Sequence, residues 1–111
     1  MIKEFRINVS EEQISNIYNK VKNYPWQSIE DMEGWIHGTN KTYLKEICKY
    51  WISEFDWKKH EELINSFSNF KTNVEGIDVH FIKEEGSGKN PKPLLLMHGW
   101  PGSIVEFLEI I

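Results

Sequence analysis

The spacing of apolar residues changes from a helical to a strand-like period after about two thirds of the chain. Up to about residue 67, apolar residues recur every three or four positions, as on one face of an α-helix. From about residue 70 they alternate with polar residues, and later they form short uninterrupted runs. Both patterns are typical of β-strands. The sequence therefore predicts a helical N-terminal part followed by strands.

Three helices are predicted in the N-terminal part, over about 11–22, 41–55 and 57–67. The first helix follows Ser10, which stands three residues before Gln13, the spacing of a capping box. The second helix carries its apolar residues on one face, and we expect this face to form core.

The segments outside these helices differ in character. Residues 4–9 alternate and are expected to be extended, whereas residues 23–39 are irregular and contain Trp26 and Trp35. An exposed pair of tryptophans would forgo burial worth about 25 cal/mol for each Å². We therefore expect these rings to cover the helices of this chain or to dock on a larger body.

A β-hairpin is predicted over about 70–74 and 77–84, because Glu75-Gly76 separates two alternating runs. His80 falls on the polar face of this hairpin. We expect it to be solvated.

The C-terminal stretch predicts one more strand and one more helix. Leu94–Met97 is uninterrupted and apolar, as in a strand buried on both faces of a parallel sheet. Ser103 and Glu106 repeat the capping-box spacing and predict a helix over 104–111, apolar on nearly every side. The predicted fold class is α/β, a helical meander followed by the first β-β-β-α elements of an incomplete fold.

Composition narrows the functional classes. The 111 residues form at most one domain, with 15 aromatic side chains and a net charge of −4. The charges are interspersed, which argues against nucleic acid as a partner. The single cysteine, Cys48, lacks a metal-ligand spacing, and no segment resembles a signal peptide or a membrane span. We expect a cytoplasmic chain without cofactor, metal or membrane segment.

The candidate chemistry lies in the turn from His98 to Ser103, between the last predicted strand and helix. Ligand sites of α/β sheets lie at the carboxyl ends of strands. Gly99 and Gly102 permit close backbone approach, and Pro101 fixes the turn through a trans or a cis peptide. Such a turn can present the Trp100 N–H as one donor of an oxyanion hole. The alternative is a tight strand-to-helix turn without chemistry.

The other polar residues of this stretch have simpler explanations. A general base needs a nucleophile in reach and a carboxylate to orient it, and neither stands beside His98. We therefore expect His98 to be buried or to brace the loop, and Ser103 to act as a cap. None of Asp31, Asp56 and Asp78 stands in a strand-to-helix elbow where a nucleophile would be expected.

The chain strongly resembles the N-terminal region of epoxide hydrolases of the microsomal and juvenile-hormone type, in the α/β-hydrolase superfamily. The resemblance covers about residues 3–111 and is weaker over about 23–34. The residues that carry it are Trp35, Gly38, Tyr43, Leu44, Tyr50, Trp51, Phe55, Asp56, Trp57, Glu61, Gly76, Ile77, His80, Phe81 and the stretch 98–107.

This resemblance implies that residues 1–69 form a helical meander bracing a catalytic domain, and that residues 70–111 begin an α/β-hydrolase core. In such enzymes an aspartate opens the epoxide, tyrosines of a lid polarise the ring oxygen, and a histidine activates water against the resulting ester. The resemblance gives the Trp100 N–H a place in the oxyanion hole, and His98, Gly99, Pro101, Gly102 and Ser103 structural places around it.

The counterparts of the other catalytic groups would lie beyond residue 111. We therefore expect a truncated chain that is inactive alone and that meets an epoxide substrate only when a catalytic domain completes it. The alternative is a non-catalytic docking or dimerisation module, and under either reading a protein partner or self-association is expected. A dehalogenase-like enzyme would share the His-Gly-x-Pro turn but not the meander.

Overall fold

The computed structural model describes residues 1–30 and 34–111. Short 3-10 helices cover Trp26–Ser28 and Ile104–Phe107. The longer elements are β1 (Lys3–Glu4), α1 (Glu11–Lys22), α2 (Lys41–Ser53), α3 (Trp57–Asn65), β2 (Asn69–Val74) and β3 (Ile77–Ile82).

The chain divides into two compact units. The helical unit is Val9–Trp57, and the sheet unit combines Met1–Asn8 with Lys58–Ile111. The predicted domain division between residues 69 and 70 stays a prediction.

Local side-chain bonds set the bounds of α1 and α2 in the helical unit. The capping box that opens α1 is confirmed, because Ser10 Oγ accepts from Gln13 N at 3.2 Å and Gln13 Oε1 accepts from Ser10 N at 3.1 Å. Asn40 caps α2 by accepting from Tyr43 N at 3.0 Å. This helix ends two residues before the prediction, where the amides of Glu54 and Phe55 share one carbonyl oxygen.

The predicted core face of α2 is only partly covered. Leu44, Cys48 and Ile52 are half-buried, whereas Ile47 and Trp51 are 42% and 39% exposed. Neither α1 nor α2 contains a fully buried residue. The expectation that this face forms core is therefore wrong for part of it, because Ile47 and Trp51 face an open groove.

The sheet unit is built on an antiparallel sheet in the order β1-β2-β3. The predicted hairpin is confirmed. Its turn places Glu75 and Gly76 at φ 52° and 87°, as in the primed turns that suit two-residue hairpins. The segment expected only to be extended contributes β1, and Phe5 N donates to the carbonyl of Asn69 at 2.9 Å.

The buried centre of the sheet unit lies where α3 meets β2. Ile64, Glu61 and Asn69 are between 4% and 6% exposed. The α3 helix ends at residue 65 rather than 67, because Asn69 Nδ2 donates to the carbonyls of Ile64 and Phe67, both at 2.8 Å. Asn69 thereby donates to the Ile64 carbonyl, one of the last four of the helix, and to the Phe67 carbonyl just beyond it.

Two predicted C-terminal elements are absent as regular structure. Leu94–Met97 forms no strand, and Leu94, Leu95 and Met97 are about 80% exposed. A strand buried on both faces needs neighbours, and the part of the chain that the structure describes offers it no parallel one. The predicted helix over 104–111 is reduced to the 3-10 helix and a turn, since a short helix without a packing surface is marginal.

Within residues 1–30 and 34–111, no helix has both the length and the apolar composition needed to cross a bilayer.

Candidate functional site

The turn from His98 to Ser103 is closed by one short backbone bond. Gly102 N donates to the carbonyl of Gly99 at 2.6 Å. The Trp100–Pro101 peptide is cis, which resolves the choice that the sequence left open. The turn therefore reverses the backbone with Trp100 at its tip.

Gly102 is required by its surroundings. A Cβ placed there would lie 2.8 Å from the Gly99 carbonyl oxygen and would clash with the carboxylate of Glu106. Both contacts are shorter than side-chain carbons tolerate. No such crowding surrounds Gly99, which has no atom within 4 Å of the corresponding position.

The predicted cap beyond the turn is confirmed. Ser103 Oγ accepts from Val105 N at 3.3 Å, and Ser103 N donates to Glu106 Oε1 at 2.9 Å. The amide of Ser103 is therefore bonded to the Glu106 carboxylate, and the amide of Gly102 is bonded to the Gly99 carbonyl. Pro101 has no amide hydrogen.

Trp100 carries an unbonded amide at the tip of the turn. Its N–H makes no hydrogen bond to any residue that the structure describes, and its side chain is 97% exposed. The turn thus offers the Trp100 N–H as a backbone donor at its tip, whereas the amides of Gly102 and Ser103 are bonded and Pro101 has none.

His98 is exposed, and its Nδ1 lies 3.3 Å from the carbonyl oxygen of Gly99. The expectation that this histidine is either buried or bracing is therefore wrong for burial. Its ring contacts the turn's own backbone, as a brace would.

The environment of His80 differs from the one expected from the sequence. It is half-buried rather than solvated, its Nε2 lies 2.8 Å from Asn69 Oδ1, and its ring meets that of Phe5 edge-on at 5.3 Å. Burial, and secondarily the charge of Lys71, lowers the pKa of His80. The hairpin register, which places His80 opposite Lys71, is the sequence signal that could have shown the nearby charge of Lys71.

Asp56 and Asp78 remain outside the turn, and Asp31 lies outside the described residues. Asp78 sits at the hairpin and accepts from Asn73 Nδ2 at 2.9 Å. Among the described residues, no group of three histidine, cysteine or acidic side chains is arranged to hold a metal ion.

The helical unit contains an apolar groove that sequence reasoning did not identify. Its volume is about 520 Å³. The only polar side-chain group of Tyr18, its hydroxyl, is bonded to the Phe55 carbonyl at 2.9 Å. The groove is lined by Val9, Ile14, Ile17, Tyr18, Ile47, Tyr50, Trp51, Phe55 and Trp57.

A comparison of the sequence with protein families matches residues 2–107 to the family described as "Epoxide hydrolase N terminus". Epoxide hydrolase 1 of Oryctolagus cuniculus is 41% identical over 114 residues, covering 99% of this chain and 25% of that protein. Juvenile hormone epoxide hydrolase 1 of Ctenocephalides felis is 37% identical, and the match covers 99% of this chain and 24% of that protein. The chain spans about a quarter of the length of these curated relatives.

Solved structures show the same similarity in three dimensions. The epoxide hydrolase of Aspergillus niger superposes with a TM-score of 0.85 at 30% identity, over 99% of this chain and 29% of the other. The juvenile hormone epoxide hydrolase of Bombyx mori superposes with a TM-score of 0.85 at 32% identity, over 98% of this chain and 27% of the other. The predicted α/β fold class is confirmed by this likeness.

Proposed function

The chain belongs to the family of epoxide hydrolase N-terminal regions, and from that premise we propose that it serves as the N-terminal part of an enzyme converting epoxides to diols. The observation that carries the proposal is the Trp100 N–H, a donor at the tip of a fixed turn with no acceptor among the described residues. Its role would be to bind an oxyanion.

The proposed reaction has two steps. An aspartate carboxylate oxygen attacks one ring carbon, the C–O bond breaks, and the ring oxygen takes a proton from a tyrosine of the lid, leaving an alkyl-enzyme ester. A water that gives a proton to a base then adds to the ester carbonyl carbon. Collapse of the tetrahedral intermediate breaks the bond to the diol oxygen, which takes the proton of the added hydroxyl, so that the diol leaves and the carboxylate is restored; the proton on the base returns to the tyrosine. The charge on the carbonyl oxygen in this second step is what the Trp100 N–H would stabilise.

The same proposal predicts that these 111 residues are inactive alone. The turn is proposed to contribute the Trp100 N–H, and neither Asp56 nor Asp78, the aspartates that the structure describes, occupies an elbow where a nucleophile would stand. A donor stabilises an intermediate only where a nucleophile has formed it. Activity would therefore require the catalytic portion that makes up most of the relatives' length.

We further propose that the apolar groove of the helical unit docks this catalytic portion. Ile47 and Trp51 are well exposed in the groove, and Tyr18 turns its hydroxyl to a backbone carbonyl instead of to a ligand. The relatives contain about three times as much additional chain as the part matched here, which supplies an occupant. A self-associating, non-catalytic module is the second candidate, and the same exposed side chains support it.

The experiment joins this chain to the catalytic portion of the Aspergillus niger enzyme in place of the matched N-terminal residues. We expect diol from a styrene-oxide-type epoxide with the fusion and none above the uncatalysed rate with the chain alone. Turnover by the chain alone would contradict the proposal.

Two substitutions at Trp100 test the donor within the fusion. Trp100→Pro removes the amide hydrogen, and we expect kcat to fall by about 100- to 1,000-fold, the usual cost of losing one such donor. Trp100→Ala removes the ring but keeps the amide, so it should retain most of the hydrolysis of the ester. Equal losses in the two variants would show that the ring, not the N–H, matters.

A second pair tests the groove. Ile47→Glu places a carboxylate in the groove, whereas Lys49→Glu places one on the exposed face of the same helix. In this test the chain is added to a separately produced catalytic portion, and the restored rate of diol formation is the rescue that is measured. We expect Ile47→Glu to abolish this rescue and Lys49→Glu to leave it intact. The second candidate would be favoured by two results together. The chain would dimerise with increasing concentration unless it carried Ile47→Glu, and the unmodified chain would give no rescue.

A further inference from the structure

Three basic residues stand in one row across the sheet unit. Lys3 of β1 pairs with Lys71 of β2, and Lys71 pairs with His80 of β3. Directly opposed like charges destabilise a strand pair. The number of charges in this row depends on whether His80 carries a proton.

The hydrogen bonds of Asn69 determine how His80 is held. Asn69 Nδ2 donates its two hydrogens to the carbonyls of Ile64 and Phe67, so Oδ1 must be the atom that faces His80. Because Oδ1 can only accept, His80 Nε2 is the donor. A neutral His80 therefore carries its proton on Nε2 and titrates at Nδ1.

Phe5 connects this histidine to the N-terminal strand. Its ring meets the ring of His80 edge-on, and Lys71 Nζ lies 3.9 Å from the centre of the Phe5 ring. β1 itself contains only two residues, and the next sheet bond runs from Phe5 N to the carbonyl of Asn69. The attachment of β1 thus depends on a few contacts that meet at Phe5.

We propose that His80 is an acid-sensitive latch, whose protonation releases β1 and Phe5 from the sheet and opens the edge of β2. A proton on Nδ1 puts a third positive charge in the row with Lys3 and Lys71. The same charge stands beside the Phe5 ring, which already holds the Lys71 ammonium.

Among the described residues, His80 makes no ion pair or hydrogen bond with an acidic side chain. Asp78, two positions along β3, is bonded to Asn73, and Glu61 of α3 is bonded to Lys58 at 2.9 Å. Glu4 alternates to the other face of the sheet from Lys3, where it pairs with Phe70. At the end of α3, the groups bonded to the Asn69 amide are the neutral carbonyls of Ile64 and Phe67.

The direction of the titration agrees with a latch that is closed at neutral pH. The pKa of His80 is lowered by burial first and by Lys71 second. The folded sheet therefore binds this proton less well than the released state, and its stability falls as the pH drops below about 6.5 towards the folded pKa.

Release is expected to stop at Ile7. Asn65 Oδ1 accepts from Ile7 N at 2.9 Å, and Asn65 Nδ2 donates to the Ile7 carbonyl at 2.7 Å. None of the groups in this clamp titrates between about pH 5 and 8. The clamp supplies an internal reference close in sequence to the latch.

The experiment measures amide hydrogen exchange of Phe5 and Ile7 by NMR in the full chain, between about pH 8 and pH 5, where histidine titrates. After correction for intrinsic exchange, we expect Phe5 protection to fall about tenfold for each unit by which folding lowers the pKa of His80. Ile7 protection should stay constant.

Two variants isolate the cause. His80→Gln keeps a side-chain N–H but cannot titrate, so Phe5 protection should no longer depend on pH. Lys71→Gln removes a neighbouring charge and should weaken the dependence, which keeps a test available if His80→Gln does not fold. The proposal is overturned if Phe5 protection is constant in the unmodified chain. It is equally overturned if Phe5 and Ile7 lose protection together, or if His80→Gln leaves the pH response unchanged.

Discussion

The same capping chemistry opens a full helix at one end of the chain and a single 3-10 turn at the other. Ser10 and Gln13 exchange bonds at the start of α1, which runs for 12 residues. Ser103 Oγ accepts from Val105 N and Ser103 N donates to Glu106, yet the helix there has four residues. A cap satisfies the first amides of a helix but does not supply the burial that sustains it.

The difference lies in what each segment can pack against. α1 has α2 beside it, and Tyr18 of α1 is anchored to the Phe55 carbonyl. Ile104, Phe107 and Leu108 are half-buried, but no helix or strand among the described residues packs along the segment from Ile104 to Ile111 as α2 does along α1, and Ile110 is 70% exposed. Packing, rather than capping, therefore decides which predicted helix forms.

The largest expected change in the free energy of unfolding comes from a substitution in the buried centre of the sheet unit. Ile64→Ala removes a side chain that is 4% exposed, and we expect a loss of about 2–4 kcal/mol in the free energy of unfolding. Leu95→Ala, at 78% exposure, should change it little. Denaturant unfolding of both variants makes the measurement, and similar losses would mean that the C-terminal stretch is packed after all.

A smaller effect is expected from the two caps. Ser10→Ala should cost α1 about 1 kcal/mol, since it leaves the amide of Gln13 without its acceptor. Ser103→Ala removes the same kind of bond from a segment that contributes little to the packed core. Hydrogen-exchange rates of the α1 amides and the midpoint of global unfolding, measured for both variants, compare the costs of Ser10→Ala and Ser103→Ala. A larger destabilisation from Ser103→Ala would reverse the comparison.

The smallest effect concerns the hairpin turn. Glu75 has a φ of 52°, a conformation that costs most side chains energy and that asparagine tolerates better. Glu75→Asn should therefore stabilise the sheet unit by about 0.5 kcal/mol, on the scale of compatible turn substitutions. Glu85→Asn, a matched change outside the turn, should have no such effect on the melting temperature.

The parts of the fold that depend on neighbours in sequence could be predicted. Ser10 with Gln13 and Glu75 with Gly76 mark the start of α1 and the hairpin turn, because their hydrogen bonds and dihedral angles are local. Leu94–Met97 could not be placed correctly, because an apolar run becomes a strand only where other strands accept its backbone bonds.

The same distinction applies to the candidate site. The turn around Trp100 was found from its glycines and proline, whose backbone preferences are intrinsic. The groove needed two helices to be brought together, and the contact of His80 with Phe5 joins residues far apart in sequence. Neither can be derived from periodicity alone.

The clamp of Asn65 on Ile7 has a consequence for the order in which the chain is made. The two residues are 58 positions apart, so a ribosome adding about 5–20 residues per second produces the second roughly 3–12 s after the first. Val9–Trp57 is complete before Asn65 exists, and the first eight residues must wait for it. During synthesis, residues 1–8 thus emerge before the segment that holds them and are among the last to reach their folded position.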